Sequence, residues 1–213
     1  MPSDQRSTTI VPLKRGPAAP ADPKNLLQVD RLLREHGRSI ARTYLPTLRA
    51  IGLSLTPERR ALQQAEHREA LESMLSNAAS VPTLVAVSEA LDVALSAGPD
   101  EGAVEASLAA LVDSRMRLPH NLPIFLEAAI FDLVDLGFQP CVVAAACQKL
   151  RRESKFFPEI SEIVAACSEI LARYQDQRRR VEQALADRRQ AERWLAQLSG
   201  PEATEVAAKD SGP

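Results

Sequence analysis

The chain is short of the residue types from which catalytic and metal sites are built. Only three of its 213 residues are His and three are Cys. His36, His67 and His120 are scattered, with no HExxH, no His-x3-His and no Cys at ligand spacing. Zinc and iron sites need such donors grouped, so no metal is expected. The eight Gly are dispersed, and neither GxGxxG nor GxxxxGK followed by Ser or Thr occurs. That excludes an ATPase of the P-loop type and leaves no cofactor implied.

Other absences concern fold and compartment. Aromatic residues make up 4% of the chain while Ala and aliphatics abound. This favours helix–helix packing over a β-sandwich, which needs alternating β-branched and aromatic runs. The N-terminal MPSDQRSTTIVPLKRG has no continuous apolar region of the secretory kind. No uncharged apolar run approaches the roughly 20 residues of a spanning helix. A net charge of −2 offers no global attraction to nucleic acid or membrane. The expectation is a cytoplasmic protein without membrane contact. Cys141, Cys147 and Cys167 lack CxxC spacing and lie among Val, Ala and Ile, the setting of buried reduced thiols.

What is present is helical periodicity punctuated by Pro. Residues 1–23 hold five Pro and scattered polar residues and are expected to be disordered. Pro23 opens a helical pattern through Leu26, Leu27, Val29, Leu32 and Leu33, with Gly37 as its expected stop. Ser39 to Ile51 forms a second amphipathic segment, broken or kinked at Pro46. Thr56-Pro57-Glu58 reads as N-cap, first helical residue and first-turn acid, for a helix to about Asn77 with Leu62, Ala65, Leu71, Met74 and Leu75 inward.

Val81-Pro82-Thr83 starts a helix that Ala97-Gly98-Pro99 ends, and Asp100 or its neighbour caps the next; the two are expected to pair as an antiparallel hairpin. Ile124 to Leu136 is nearly apolar all round and is expected to be buried on several sides. Gly137 ends it, and Pro140 restarts the chain into Val142, Val143, Ala145, Ala146 and Leu150. After the connector Ser154-Lys155-Phe156-Phe157, Pro158 opens a helix that nothing stops before Gly200.

The fold class is therefore all-α: a multi-helical bundle of helical hairpins with a long C-terminal helix and disordered tails. Its expected divisions are the basic, Pro-rich tail 1–23, N-terminal helices 24–80, a helical core module 81–172, a charged helical extension 173–198 and a second tail 199–213.

Two features stand out from this frame. Arg178, Arg179, Arg180, Arg188 and Arg189 lie on the long helix, where cations can neutralise phosphates or meet an acidic partner. Glu182, Asp187 and Glu192 interleave with them, as on a solvated, ion-paired helix. The broken apolar seam through Val181, Leu185, Leu195 and Leu198 permits weak coiled-coil pairing, hence a homo-oligomer. The second feature is the connector. Arg151, Arg152, Lys155, Phe156, Phe157, Glu159 and Glu162 make it a candidate partner-binding segment, since aromatic and Arg anchors dominate interface energetics. One Phe can plug the core and the other staple the next helix. Glu159 and Glu162, within one turn, fit helix-dipole compensation better than acid–base catalysis.

The run LPHNLPIFLEAAIFDLVDLGFQPCVVAAACQKLRRESKFFPEISEI resembles the small helical modules of bacteriophage replicative-helicase loaders and related prophage replication-accessory proteins. The matching positions are Ser154, Lys155, Phe156, Phe157, Pro158, Glu162 and Ile163, and the likeness covers about a quarter of the chain. The resemblance implies a non-enzymatic adaptor that binds a hexameric helicase and helps deliver it to DNA. Two alternatives stand beside it. One is a scaffolding protein that oligomerises through Pro158 to Leu198. The other is a DNA-binding regulator with a helix-turn-helix inside residues 124–170, although Val142 to Leu150 offers few groups for base edges.

Overall fold

The structure, a computed structural model, describes residues 26–48 and 56–199. The expected tails and the end of the Pro46 segment lie largely outside these residues. Among the described residues seven helices follow one another: α1 (Gln28–Ala41), α2 (Pro57–Asn77), α3 (Val81–Ser96), α4 (Glu101–Asp113), α5 (Leu122–Asp135), α6 (Pro140–Glu153) and α7 (Ile160–Ser199). No strand occurs among the described residues. The all-α bundle with a long C-terminal helix is what the periodicity predicts.

Local chemistry sets most of the helix ends. Thr56 Oγ1 accepts the Arg59 N–H at 3.4 Å, with Pro57 at the first helical position. Ser80 Oγ accepts the Thr83 N–H at 3.3 Å, and Asp100 Oδ1 the Ala103 N–H at 2.8 Å. At the end of α5, Gly137 takes φ +74. The Gly137 N–H reaches the Val134 carbonyl and the Phe138 N–H that of Leu133. This is a Schellman stop, which favours Gly because a Cβ crowds the left-handed conformation.

Gly37 is not a stop. α1 continues through it to Ala41, and residues 43–48 carry no regular secondary structure rather than a second helix. Gly inside a helix costs about 1 kcal/mol relative to Ala. Burial of Val29 and Ile40 on either side offsets that cost. Thr43 then ties the end of α1 to the α2–α3 junction. Its Oγ1 donates to the Ser39 carbonyl and accepts the Ala79 N–H at 3.0 Å.

α7 is the spine. Its 40 residues span about 60 Å at 1.5 Å per residue. α3 and α6 pack along its first half, and α1 adds to that side. Tyr174, Ile163 and Ile170 sit there with almost no exposure, beside Leu84 and Leu91 of α3 and Val142 of α6. Burying each such side chain is worth about 1.5–3 kcal/mol. α6 lies between α7 and α4, and α5 packs on the outside of α4. α3 and α4 are thus not the expected hairpin. α3 packs chiefly on α7 and α1, and α4 on α6 and α5.

The far half of α7 does not project from the bundle. α2 runs antiparallel along it, as the Arg68 Nη2 to Leu198 carbonyl contact at one end and Arg188 Nη1 to Leu75 at the other show. Leu71, Met74 and Ala191 form a second small core, closed by Trp194, Leu195 and Leu198. Of the apolar seam expected to support oligomerisation, Val181 and Leu185 belong to the main core, and Leu195 and Leu198 close the small core against α2 of the same chain. The division drawn at residue 172 falls in mid-helix, and Ser199, assigned to the tail, is the last helical residue. In α2 itself Leu62 and Ala65 are exposed, contrary to the expected stripe; His67 is buried instead.

A candidate docking face and the arginines around it

The connector from Arg151 to Glu162 is held at both ends by residues with few alternatives. Arg115, just beyond α4, donates Nη2 to the Leu150 carbonyl at 2.7 Å and Nη1 to that of Ser154. A cation at these carbonyls complements the negative end of α6. Sequence reasoning missed Arg115, because its partners lie 35 and 39 residues away. At the other end, Glu162 accepts the Glu159 backbone N–H at 2.8 Å, the reciprocal half of a capping box. Glu162 is thereby engaged within the fold, while the Glu159 side chain is exposed.

The two aromatics divide as a core plug and a surface residue. Phe157 packs on the core and meets Phe125 of α5 edge to face, with ring centroids 5.2 Å apart and planes at 74°. Phe156 is 70% exposed, with Lys155 Nζ 5.9 Å above its ring. Pro158 is buried two residues before α7 rather than at its first helical position. Arg151 and Arg152 leave the last turn of α6 on different surfaces. Arg151 borders a pocket beside α4, and Arg152 borders a cleft beside α1.

α5 departs most from expectation. Only Ala129 and Leu133 are buried, since the helix packs on α4 and touches α7 at one edge. Ile124 is 66% exposed and Phe131 69%. With Glu127 and Asp135 these form one stripe at spacings of three and four residues. Beside the stripe, Leu126, Ile130 and Val134 line an open groove of ≈ 600 Å³ against α4, with Glu101 and Glu105 on its far wall. Glu101, Glu105, Glu127 and Asp135 have no ion-pair partner among the described residues, and no cation lines the groove. An apolar floor between unpaired carboxylates is complementary to a segment that is apolar on one side and basic along its edges.

Arg178, Arg179, Arg180, Arg188 and Arg189, the five singled out on α7, do not share a face. Arg178 Nε bridges to Asp92 of α3 at 2.9 Å and to Glu182 at 3.1 Å. Arg179 and Arg180 both pair with Asp176, at 3.5 and 2.7 Å. Arg188 is largely enclosed, its side chain 17% exposed. Its Nη1 donates to the carbonyls of Leu75 and Ala79 at 3.3 and 3.0 Å, and its Nε lies 3.1 Å from Glu192 without hydrogen-bond alignment. Arg188 fastens the end of α2 to α7 and is no free surface cation. Arg189 alone of the five is exposed and without a partner among the described residues.

The would-be recognition helix of a helix-turn-helix is α6, eight of whose residues are buried between α4 and α7. It cannot enter a groove of DNA without unfolding the core. The three thiols are equally enclosed: burial pushes Cys141 up to about 11 and Cys147 and Cys167 to about 12. Thiols so raised carry negligible thiolate near neutral pH and make poor nucleophiles. No group of three or more His, Cys, Asp or Glu side chains is placed to hold a metal among the described residues. No single described helix is long and apolar enough to cross a membrane. No protein-family model, curated protein or solved structure matches the chain.

Proposed function

We propose that the protein is a non-enzymatic helical adaptor that docks a basic, apolar-faced segment of a partner protein on the outer side of α5. The exposure of Ile124 and Phe131 on a helix otherwise anchored to α4 carries this reading. Scattered surface apolar residues are ordinary, but a stripe beside an apolar groove marks an interaction surface. The unpaired Glu101, Glu105, Glu127 and Asp135 select the sign of the partner. The Phe125–Phe157 contact joins α5 to the connector, so a partner could reach Phe156 as well.

The resemblance of residues 118–171 to helicase-loader modules supplies the partner class to test first, a hexameric replicative helicase. Interferometry of the full chain against the purified helicase of the source organism tests it at moderate salt. Saturable binding that weakens in the Phe131→Ser variant and with rising salt supports the helicase reading. An absence of binding by the unmodified chain removes the helicase as partner.

A further inference from the structure

A second cleft, of ≈ 550 Å³, opens between α1, the segment after it, the C-terminal end of α6 and the middle of α7, on residues apart from the docking groove. Four arginines border it: Arg34 from α1, Arg152 from α6, and Arg173 and Arg180 from α7. Only two carboxylates do, Asp30 and Asp187, and both are engaged. Asp30 takes the Arg173 guanidinium and accepts the buried Tyr174 hydroxyl at 3.1 Å. Asp187 accepts the Leu45 N–H at 3.3 Å and the Gln183 amide at 2.7 Å. Arg180 is balanced by Asp176.

Arg34 and Arg152 are left over. Arg34 spends only its Nε, on the Asp30 backbone carbonyl at 3.2 Å, and Arg152 has no partner among the described residues. Two guanidinium groups with free donor edges, on separate helices facing one cleft, form a receptor for a multiply charged oxyanion. Arg binds phosphate by paired N–H donors, and each such contact is about twice as strong as a neutral hydrogen bond. Neutral donors adjoin them, for Gln148 and Gln177 line the same cleft without partners of their own.

Tyr44, 65% exposed on the segment after α1, lines the cleft as well. A ring in that position adds a stacking platform, which every nucleobase can use. The cleft's volume lies within the roughly 300–1,000 Å³ of small-ligand sites. We infer that the cleft between α1, α6 and α7 binds a small phosphate-bearing ligand with a planar ring, of mononucleotide size, through Arg34, Arg152 and Tyr44. The chain's own chemistry offers binding there and no nucleophile or base for turnover.

Isothermal titration of the full chain at low ionic strength with AMP, adenosine and inorganic phosphate tests the site. AMP is expected to bind saturably, adenosine to give no measurable heat, and inorganic phosphate to bind more weakly than AMP. Arg34→Gln and Arg152→Gln should each weaken AMP binding about tenfold or more, the loss of a charged hydrogen-bond pair. Arg179→Gln, remote from the cleft, should leave it unchanged, and Tyr44→Ala should bring AMP down to the affinity of inorganic phosphate. Circular dichroism of each variant verifies that the helices remain. Failure of AMP to saturate overturns the inference. So does AMP binding that is indifferent to both arginine substitutions, or equal affinity for AMP and inorganic phosphate in the unmodified chain.

Discussion

Phe125 of α5 and Phe157 of the connector meet edge to face, 5.2 Å between ring centroids, and this contact joins two surfaces that the chain separates by 32 residues. Such pairs add about 0.5–1.5 kcal/mol to the gain from burial. The neighbouring Phe156 makes no comparable contact. Phe157→Ala should therefore cost about 2–3 kcal/mol and Phe156→Ala less than about 0.5. Urea unfolding of both variants measures the difference, and equal losses would contradict the assignment of plug and surface residue.

Arg188 and Arg189 are consecutive and chemically identical, yet their surroundings differ completely. Arg188→Ala leaves two carbonyls without their charged donor and unfastens α2 from α7. A loss of about 2 kcal/mol is expected, against less than about 0.5 for Arg189→Ala. Thermal unfolding followed by circular dichroism reads both. A neutral Arg188→Ala would mean that α2 is held by its apolar contacts alone.

The contrast shows where sequence reading reached and where it stopped. Caps and stops are local: Thr56, Pro57, Asp100 and Gly137 act on residues within a few positions, and each does what its type predicts. Two adjacent Phe in the connector predict a core plug and a staple for the next helix; Phe157 is the plug, but Phe156 is 70% exposed and staples nothing. Which helices become neighbours is not local. α5 looks buried because apolar residues fill it, but its cover is chiefly α4, with an edge of α7 and Phe157 of the connector, so Ile124 and Phe131 face outward. Arg115 and Arg188 acquire their roles from carbonyls 35 to 113 residues away, which no periodicity reveals. The arginine cleft is of the same kind, since Arg34 and Arg152 border one cleft only after α1 has packed on the spine.

The buried thiols give a prediction in pH. Cys147 and Cys167, pushed from the ordinary 9.0 up to about 12, keep their protons in the folded chain where the unfolded chain loses them. Above about pH 9 the folded state then binds more protons, so the thiols' contribution is complete below pH 9 and falls away as pH rises toward 12. Unfolding midpoints in urea from pH 8 to 11 should decline less steeply in Cys147→Ala than in the unmodified chain. Ellman's reagent near pH 8 should react with the native thiols far more slowly than with the urea-unfolded ones. Immediate labelling of the folded chain would contradict their enclosure.

The most direct test of the docking face places a photoreactive phenylalanine analogue at position 124 or 131 of the chain expressed in its native host, followed by irradiation and mass spectrometry of the crosslinked peptides. The account predicts a crosslink to one defined segment of another protein, carrying Lys or Arg beside its apolar residues, that disappears when Glu101 and Glu127 are replaced by Lys. A crosslink to a second copy of this chain, to an acidic segment, or to nothing specific would contradict it.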